Sequence, residues 1–471
     1  MIRVVEGGAG DVAGMMTIMH DAFDPRFGEA WTAAQCLSSL VMPDCQLLLA
    51  KDGDAICGFA MSRWVLDHQE LLMIGVAQRL QGQHIGQLLL SETILRARQA
   101  GRTKIFLEVR DGNKAHDFYQ KHGFTSMLPT EDAVIVSQEL ANRFGLPLWQ
   151  FTVTATDANR HTIRYCRLIT GKSKIIVIDK CYHGSVDETF ATLDKDGNTI
   201  KREGNLGAPV DLDQTTRVVE FNDLAGMEAA LAKGDVAAIL MEPAMTNIGI
   251  VLPEDGYLKA VGELAKKYGA IWIIDETHTI SVGAGGMTAM YGLKPDVLTI
   301  GKAIAGGIPT GTFGMTTEVA ARIKEKTSRE IIDTGGIGST LAGNSMSLAA
   351  MRATLTKVLT PAAFEKMVAL GTKWSDGVDA AIKEFDLPWY CSRLRARGEY
   401  LFQATAPRTG KEAADAGDFE LEQYIHLRML NDGFLITPFH NMALMSPETS
   451  DADVDAHTAA FRKMCEELTK S

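Results

Sequence analysis

A chain of 471 residues with a formal net charge of −12 and no basic run argues against nucleic acid or an anionic membrane as main partner. Its length suits roughly two to four domains with ample core. The seven cysteines are scattered and odd in number, without a Cys-x-x-Cys, so neither a disulfide framework nor a zinc site is indicated. No apolar run approaches the ~18 residues of a membrane span and the N-terminus lacks a signal-peptide pattern, so a cytoplasmic location is expected.

In chain order, Gln46–Ala50 and Ala55–Ser62 flank Lys51-Asp-Gly-Asp54, a hairpin signal. A strand over Glu70–Val76 leads into Gln81-Gly82-Gln83-His84-Ile85-Gly86. Ile85, Leu88, Leu89 and Leu95 then recur at helical spacing until Gly101 stops the helix. Strand, glycine loop and helix start together present N–H groups and a positive dipole end to a pyrophosphate. A strand over Lys104–Val109 follows, then Asn113, Tyr119 and Gly123-Phe124.

These parts resemble the GNAT acyl-CoA acetyltransferases over Ile2 to about Phe124. The likeness is greatest to the ribosomal-protein alanine N-acetyltransferase group, through Glu29-Ala-Trp31, Glu70–Val76 and Leu107-Glu-Val-Arg110. The resemblance implies an α+β acetyltransferase domain, residues 1–127, with acetyl-CoA as co-substrate and a protein N-terminus as a possible acceptor. Gln81, Gly82, Gly86 and Gln87 would cradle the pyrophosphate, with Asn113 also on the coenzyme, and the backbone up to Val76 would pair with the pantetheine arm. Glu108 would be the general base and Tyr119 the acid, because the acceptor ammonium must lose a proton before it attacks. His84 stands where the family's loop has glycine, and the stretch from Asn113 to Tyr119 is one residue short.

Thr130 as N-cap, acidic residues in the first turn, and Val136, Leu140 and Phe144 on one face predict a helix over Glu131–Phe144. It replaces the last strands that a GNAT domain carries. Beyond it come four strand-like runs, each with a chemically apt residue at its end. Lys174–Asp179 precedes Tyr182-His183-Gly184, Ala237–Met241 precedes Glu242-Pro243, Gly269–Ile274 ends on Asp275, and Val297–Gly301 precedes Lys302. In open α/β sheets chemistry gathers at the carboxyl ends of strands. A carboxylate and a lysine there suit pyridoxal phosphate, the lysine as Schiff-base former and the carboxylate as partner of the pyridine nitrogen. Thr154–Asn159, before a helical stretch over Arg160–Thr170, and Gly338–Asn344 are small-residue phosphate cradles.

From about residue 129 onward the chain resembles the class III aminotransferases and the related glutamate-1-semialdehyde aminomutases, of pyridoxal-phosphate fold type I. The resemblance implies a mainly parallel, doubly wound large domain (residues 128–355) and a small C-terminal α/β domain (356–471). The helical stretches Ser345–Val358 and Pro361–Phe385 come where the pattern shifts. By the same resemblance Lys302 binds pyridoxal 5'-phosphate and carries the proton, and Asp275 pairs with the ring nitrogen. Tyr182 would cover one ring face and Thr277 the other, where valine is usual. His278 replaces a frequent glutamine, while His183 and Glu242 lie beside the ring. Ala155 and Thr156 would hold the phosphate from one subunit and Thr340 from its partner, which makes a homodimer. Arg397, in Ser392-Arg-Leu-Arg-Ala-Arg397, is the choice for a substrate carboxylate because arginine reads one bidentately. The expected function is amino-group transfer between a small amino compound and a keto or aldehyde acceptor. An aminomutase, or a non-catalytic fusion, is the alternative. A family member would have on the order of a hundred residues before Glu131, in place of an acetyltransferase, so a spliced or engineered fusion is expected.

Overall fold

The computed structural model describes residues 2–109, 113, 115–122, 130–208, 210–327, 336–339, 341–437 and 440–470. The chain divides into two compact units, Met1–Leu128 and Pro129–Ser471. Thr340, proposed for the phosphate, lies outside the described residues.

The first unit is built on a five-stranded sheet: β1 (Arg3–Gly7), β2 (Cys45–Asp52), β3 (Ala55–Val65), β4 (His68–Val76) and β5 (Lys104–Leu107), in that order. β1 to β4 pair antiparallel and β5 lies parallel to β4. Side chains alternate across a strand, so Leu47 and Leu49 join a core with Met15, Ile18 and Met19, whereas Leu48 and Ala50 join another with Ile85, Leu89 and Leu90. Helices on both faces thus explain the unbroken apolar run in β2. The helix expected after the glycine loop spans Ile85–Gln99. The strand expected over Lys104–Val109 ends earlier, at Leu107.

The second unit carries a seven-stranded sheet. Its strands are β6 (Leu148–Thr152), β7 (Lys174–Ile178), β10 (Thr216–Val219), β11 (Val236–Met241), β12 (Ile271–Asp275), β13 (Val297–Gly301) and β14 (Gly311–Met315). The order is β10-β7-β11-β12-β13-β14-β6. The first five run parallel, and β14 opposes both its neighbours. Successive residues of β13 feed opposite faces: Val297 enters the core that holds the Ala155–Thr170 helix, and Leu298 and Ile300 enter the one that holds the Pro361–Glu384 helix. A sheet covered on both faces needs strands apolar on both sides. Two short ladders complete the unit, β8 (Ala191–Leu193) with β9 (Thr199–Lys201), and β15 (Tyr390–Leu394), β16 (Arg397–Leu401) and β17 (Met442–Leu444).

Three local expectations are revised. The helix expected from Arg160 begins at Ala155, so Thr154–Asn159 is its cap and first turn instead of a loop before it. Thr154 caps it by accepting from the Asp157 amide at 3.1 Å, which draws the run into the helix. Thr130 does stand at the N-cap of the Glu131–Phe144 helix, but its buried hydroxyl makes no hydrogen bond. The stretch Ser345–Val358 is helical only to Ala353 and then widens into a π turn over Thr354–Val358. There Arg143 donates to the carbonyls of Leu355 (2.6 Å) and Leu359 (3.0 Å), a tertiary contact that the spacing of apolar residues does not report.

Candidate active site at the strand ends

The carboxyl ends of β7, β11, β12 and β13 bring Tyr182, Glu242, Asp275 and Lys302 to one rim of the sheet. Asp275 is buried and carries three kinds of donor. His183 Nδ1 and Asn159 Nδ2 each donate to one carboxylate oxygen at 2.9 Å, and the Thr277 amide donates to the other at 3.0 Å. Burial alone would raise its pKa, but these donors, His183 foremost, hold the carboxyl well below the usual range. Asn159 is itself fixed, since Thr299 of β13 donates to its Oδ1 at 2.7 Å. Along the sequence Asn159 has no role of its own. A polar amide on the buried face of an amphipathic helix was the available signal.

Lys302 sits directly after β13 with φ at 48°, the left-handed region that a lysine rarely adopts. Its Nζ lies 2.6 Å from His278 Nε2, and His278 Nδ1 lies 3.0 Å from an Arg397 guanidinium nitrogen. The Lys302 side chain reaches solvent, yet burial lowers its pKa; Asp275 and Glu242 oppose this and Arg397 reinforces it. His278 is pushed down to about 3 by burial and then by the charges of Lys302 and Arg397. Burial also pushes Glu242 up to about 7, against the pull of His183; Thr246 donates to it at 2.8 Å. Arg397 is buried, and among the described residues no carboxylate forms an ion pair with it and its Nε has no partner.

The residues read as a phosphate cradle lie at a helix start. Ala155 and Thr156 open the Ala155–Thr170 helix, and the Thr156 hydroxyl accepts from the Ser185 amide at 3.1 Å, tying that helix start to the Tyr182-His183-Gly184 turn. Tyr182 is exposed, and its ring meets that of Phe190 in a T-shaped contact. His183 lies behind Asp275 and buries an Nε2 with no partner. Thr277 is buried with its hydroxyl unpartnered.

In the first unit, β4 holds an extra residue at Leu72 relative to β3, since Met61 pairs with Met73 and Ser62 with Leu71. Such a bulge bends a strand. β5 pairs with β4 only as far as Leu71, so the second half of β4 is open on that side among the described residues. The Val76 carbonyl accepts from Gln81 Nε2 at 3.3 Å, and Gly82 and His84 both have left-handed φ, 79° and 60°. Gly86 and Gln87 lie in the first turn of the following helix, where His84 Nδ1 meets Gln87 Oε1 at 3.1 Å. Glu108 is exposed beyond β5. Burial pushes Tyr119 up to about 12. Asn113 accepts from the Ala115 amide at 3.0 Å, just ahead of the helix that carries Tyr119.

Family models match both units: Aminotransferase class-III over residues 114–464 and Acetyltransferase (GNAT) family over residues 13–124. Glutamate-1-semialdehyde 2,1-aminomutase of Anaeromyxobacter dehalogenans is 30% identical over 354 residues, covering 74% of this chain and 81% of that protein. A glutamate-1-semialdehyde aminomutase from Pseudomonas aeruginosa PAO1, solved in complex with PMP, is 46% identical with a TM-score of 0.71, covering 75% of this chain and 79% of that one. An omega-transaminase from Sphaerobacter thermophilus is 25% identical with a TM-score of 0.65, over 76% of this chain and 83% of that one.

Proposed function

The chain belongs to the class-III aminotransferase family and carries a GNAT acetyltransferase module, and from that premise we propose the role of each site residue. It is an aminotransferase-type enzyme that uses pyridoxal phosphate. The observation that carries the assignment is the pair of adjacent strand ends: Asp275 kept ionised on β12 and Lys302, its ammonium disfavoured, after β13. The site fits that cofactor. It presents an anionic carboxylate, a lysine and, beside them, buried polar atoms of Thr277 and His183 that lack partners.

When bound, the cofactor supplies a conjugated ring that takes up the electron pair released at the amino-bearing carbon of a substrate. Lys302 holds it covalently and moves the proton at that carbon. Asp275 keeps a proton on the ring nitrogen, and His183 and Asn159 keep Asp275 ionised and in place. Tyr182 and Thr277 would flank the ring, Ala155 and Thr156 would offer helix N-terminal amides to its phosphate, and Thr340 of a second copy would complete that cradle. Arg397 offers its unpartnered guanidinium N–H to a substrate carboxylate, and Glu242 bounds the substrate side. The substrates are a small amino donor and a carbonyl acceptor. An aminomutase reaction, with donor and acceptor in one molecule, is the second reading, supported by the aminomutase names of the relatives.

For the first unit, acetyl-CoA lies along the open half of β4, with Gln81, Gly82, Gly86 and Gln87 at its pyrophosphate and the Val76 backbone on its pantetheine. Glu108 takes the acceptor's proton, and Tyr119, its pKa raised, stays protonated to serve the leaving thiolate. Among the described residues no helix is long and apolar enough to cross a membrane.

The test is spectroscopic. Purified protein given pyridoxal phosphate should absorb visible light, and borohydride should fix the cofactor to the peptide that contains Lys302. Lys302→Ala should remove both signals. A folded wild-type protein that takes up no cofactor overturns the assignment. Turnover of a single semialdehyde without added acceptor selects the aminomutase.

A further inference from the structure

The aminotransferase reading assigns Lys302 and Arg397 separate tasks, yet His278 joins them in one hydrogen-bonded line. Resting on that reading of Lys302, we propose that Arg397, acting through the His278 imidazole, holds Lys302 as a free amine.

The direction of the bonds carries the argument. A guanidinium has only N–H donors, so at 3.0 Å from Arg397 the Nδ1 of His278 must accept. A neutral ring with its lone pair at Nδ1 has its hydrogen on Nε2. That N–H points at Lys302 Nζ, 2.6 Å away, and needs a lone pair there. Only the neutral amine has one. With an ammonium instead, Nε2 would have to accept, and Nδ1–H would face a guanidinium N–H, donor against donor. Protonating the ring does not resolve this, because it would set a third cation between two others. The low pKa of His278 agrees.

The surrounding charges do not reverse the order. Asp275 and Glu242 favour the ammonium of Lys302, but Asp275 is committed to His183, Asn159 and the Thr277 amide. Glu242 and Glu399 face Arg397 and preserve its charge. Glu399 in turn accepts from His440 at 3.0 Å, and His440 is one more group whose placement disfavours an imidazolium at His278. A lysine needs its lone pair both to bond a carbonyl carbon and to accept a proton. His278 is therefore a positioning residue that acts through Lys302, and Arg397 sets its tautomer.

The test uses the full chain freed of cofactor. Competitive acetylation with acetic anhydride across pH, read for each lysine by mass spectrometry, gives an apparent pKa for Lys302 beside an exposed reference such as Lys233. In the wild type Lys302 should titrate clearly below that reference. Arg397→Met and His278→Ala should each raise it by one unit or more, which is about a tenfold loss of free amine at neutral pH. His278→Phe, which fills the volume without a ring nitrogen, does the same and serves if the alanine variant unfolds. Nitrogen-15 shifts of the wild type should report an Nε2–H tautomer at His278. If Lys302 titrates with the reference, if the ring is Nδ1–H, or if Arg397→Met raises the pKa while both His278 variants leave it unchanged, the relay is overturned. The last result would mean that Arg397 acts by charge alone. Cofactor uptake by the same wild-type protein is a separate measurement: its failure overturns the aminotransferase reading of the site, whatever the titration gives.

Discussion

Thr277 and Glu242 flank the proposed ring site, and each is held in a condition that water would not choose. The Thr277 hydroxyl is buried without a partner, a state that costs about 1–3 kcal/mol relative to a satisfied group. Thr277→Val replaces it by a methyl of the same shape, so the cofactor-free protein should gain about 1 kcal/mol in urea unfolding. Unchanged or lower stability would mean that the hydroxyl is satisfied. Glu242 carries the opposite lesson. Burial raises its pKa from 4.5 to about 7, so the folded protein keeps a proton that the unfolded chain has released. Stability from this group is whole below about pH 4.5 and is lost as pH rises through about 7, a change on the order of 3 kcal/mol. Glu242→Gln should flatten stability over that window. If urea midpoints of wild type and variant run parallel from pH 5 to 7 (about half the expected change or more would be visible there), Glu242 is already ionised in the fold.

At the scale of elements, both proposed anion sites are helix starts whose backbone is tightly constrained. A Cβ added to Gly301 would stand 2.8 Å from Ala155 Cβ, so β13 and the Ala155–Thr170 helix can meet only with glycine there. Gly301→Ala should cost about 1–3 kcal/mol by overpacking and displace the amides offered to the phosphate. We expect a lower melting temperature and weaker uptake of pyridoxal phosphate by fluorescence titration; an unaltered affinity would detach that helix start from the cofactor. His84 presents the reverse case. It holds φ of 60° before the Ile85–Gln99 helix, a conformation that costs a non-glycine residue roughly 1 kcal/mol. His84→Gly should relieve that strain and clear the pyrophosphate cradle, tightening acetyl-CoA in calorimetry. Weaker binding would identify the imidazole as a ligand of the phosphates.

On the whole-molecule scale, the two units have separate cores and separate family matches, and the matches overlap over residues 114–124. The proposed dimer rests on the role that the family resemblance implies for Thr340. If a second copy completes each phosphate cradle, dilution should release cofactor and abolish activity together. Sedimentation alongside visible absorbance measures this, and a monomer that keeps its cofactor at low concentration would rule out the shared site.

Much of the chemistry was legible along the chain because it is written locally. Apolar runs that end in Asp275 or precede Lys302, Tyr182 and Glu242 need only strand periodicity and the rule that parallel strands present their carboxyl ends together. The Glu131–Phe144 helix follows from spacing on one face, with the same limits in the fold. What no local pattern carried is which distant groups touch. Asn159 reaches Asp275 across 116 positions, and Arg397 reaches His278 across 119. The sequence alone puts Thr154–Asn159 ahead of the helix, whereas the Thr154 hydroxyl, accepting from the Asp157 amide, makes it the helix start. The sequence alone also predicts one helix to Val358, whereas Arg143, distant in sequence, binds the carbonyls of a π turn. Propensity and periodicity act over a few residues, but the protonation of a lysine at the strand ends depends on every charge and donor that tertiary packing sets around it.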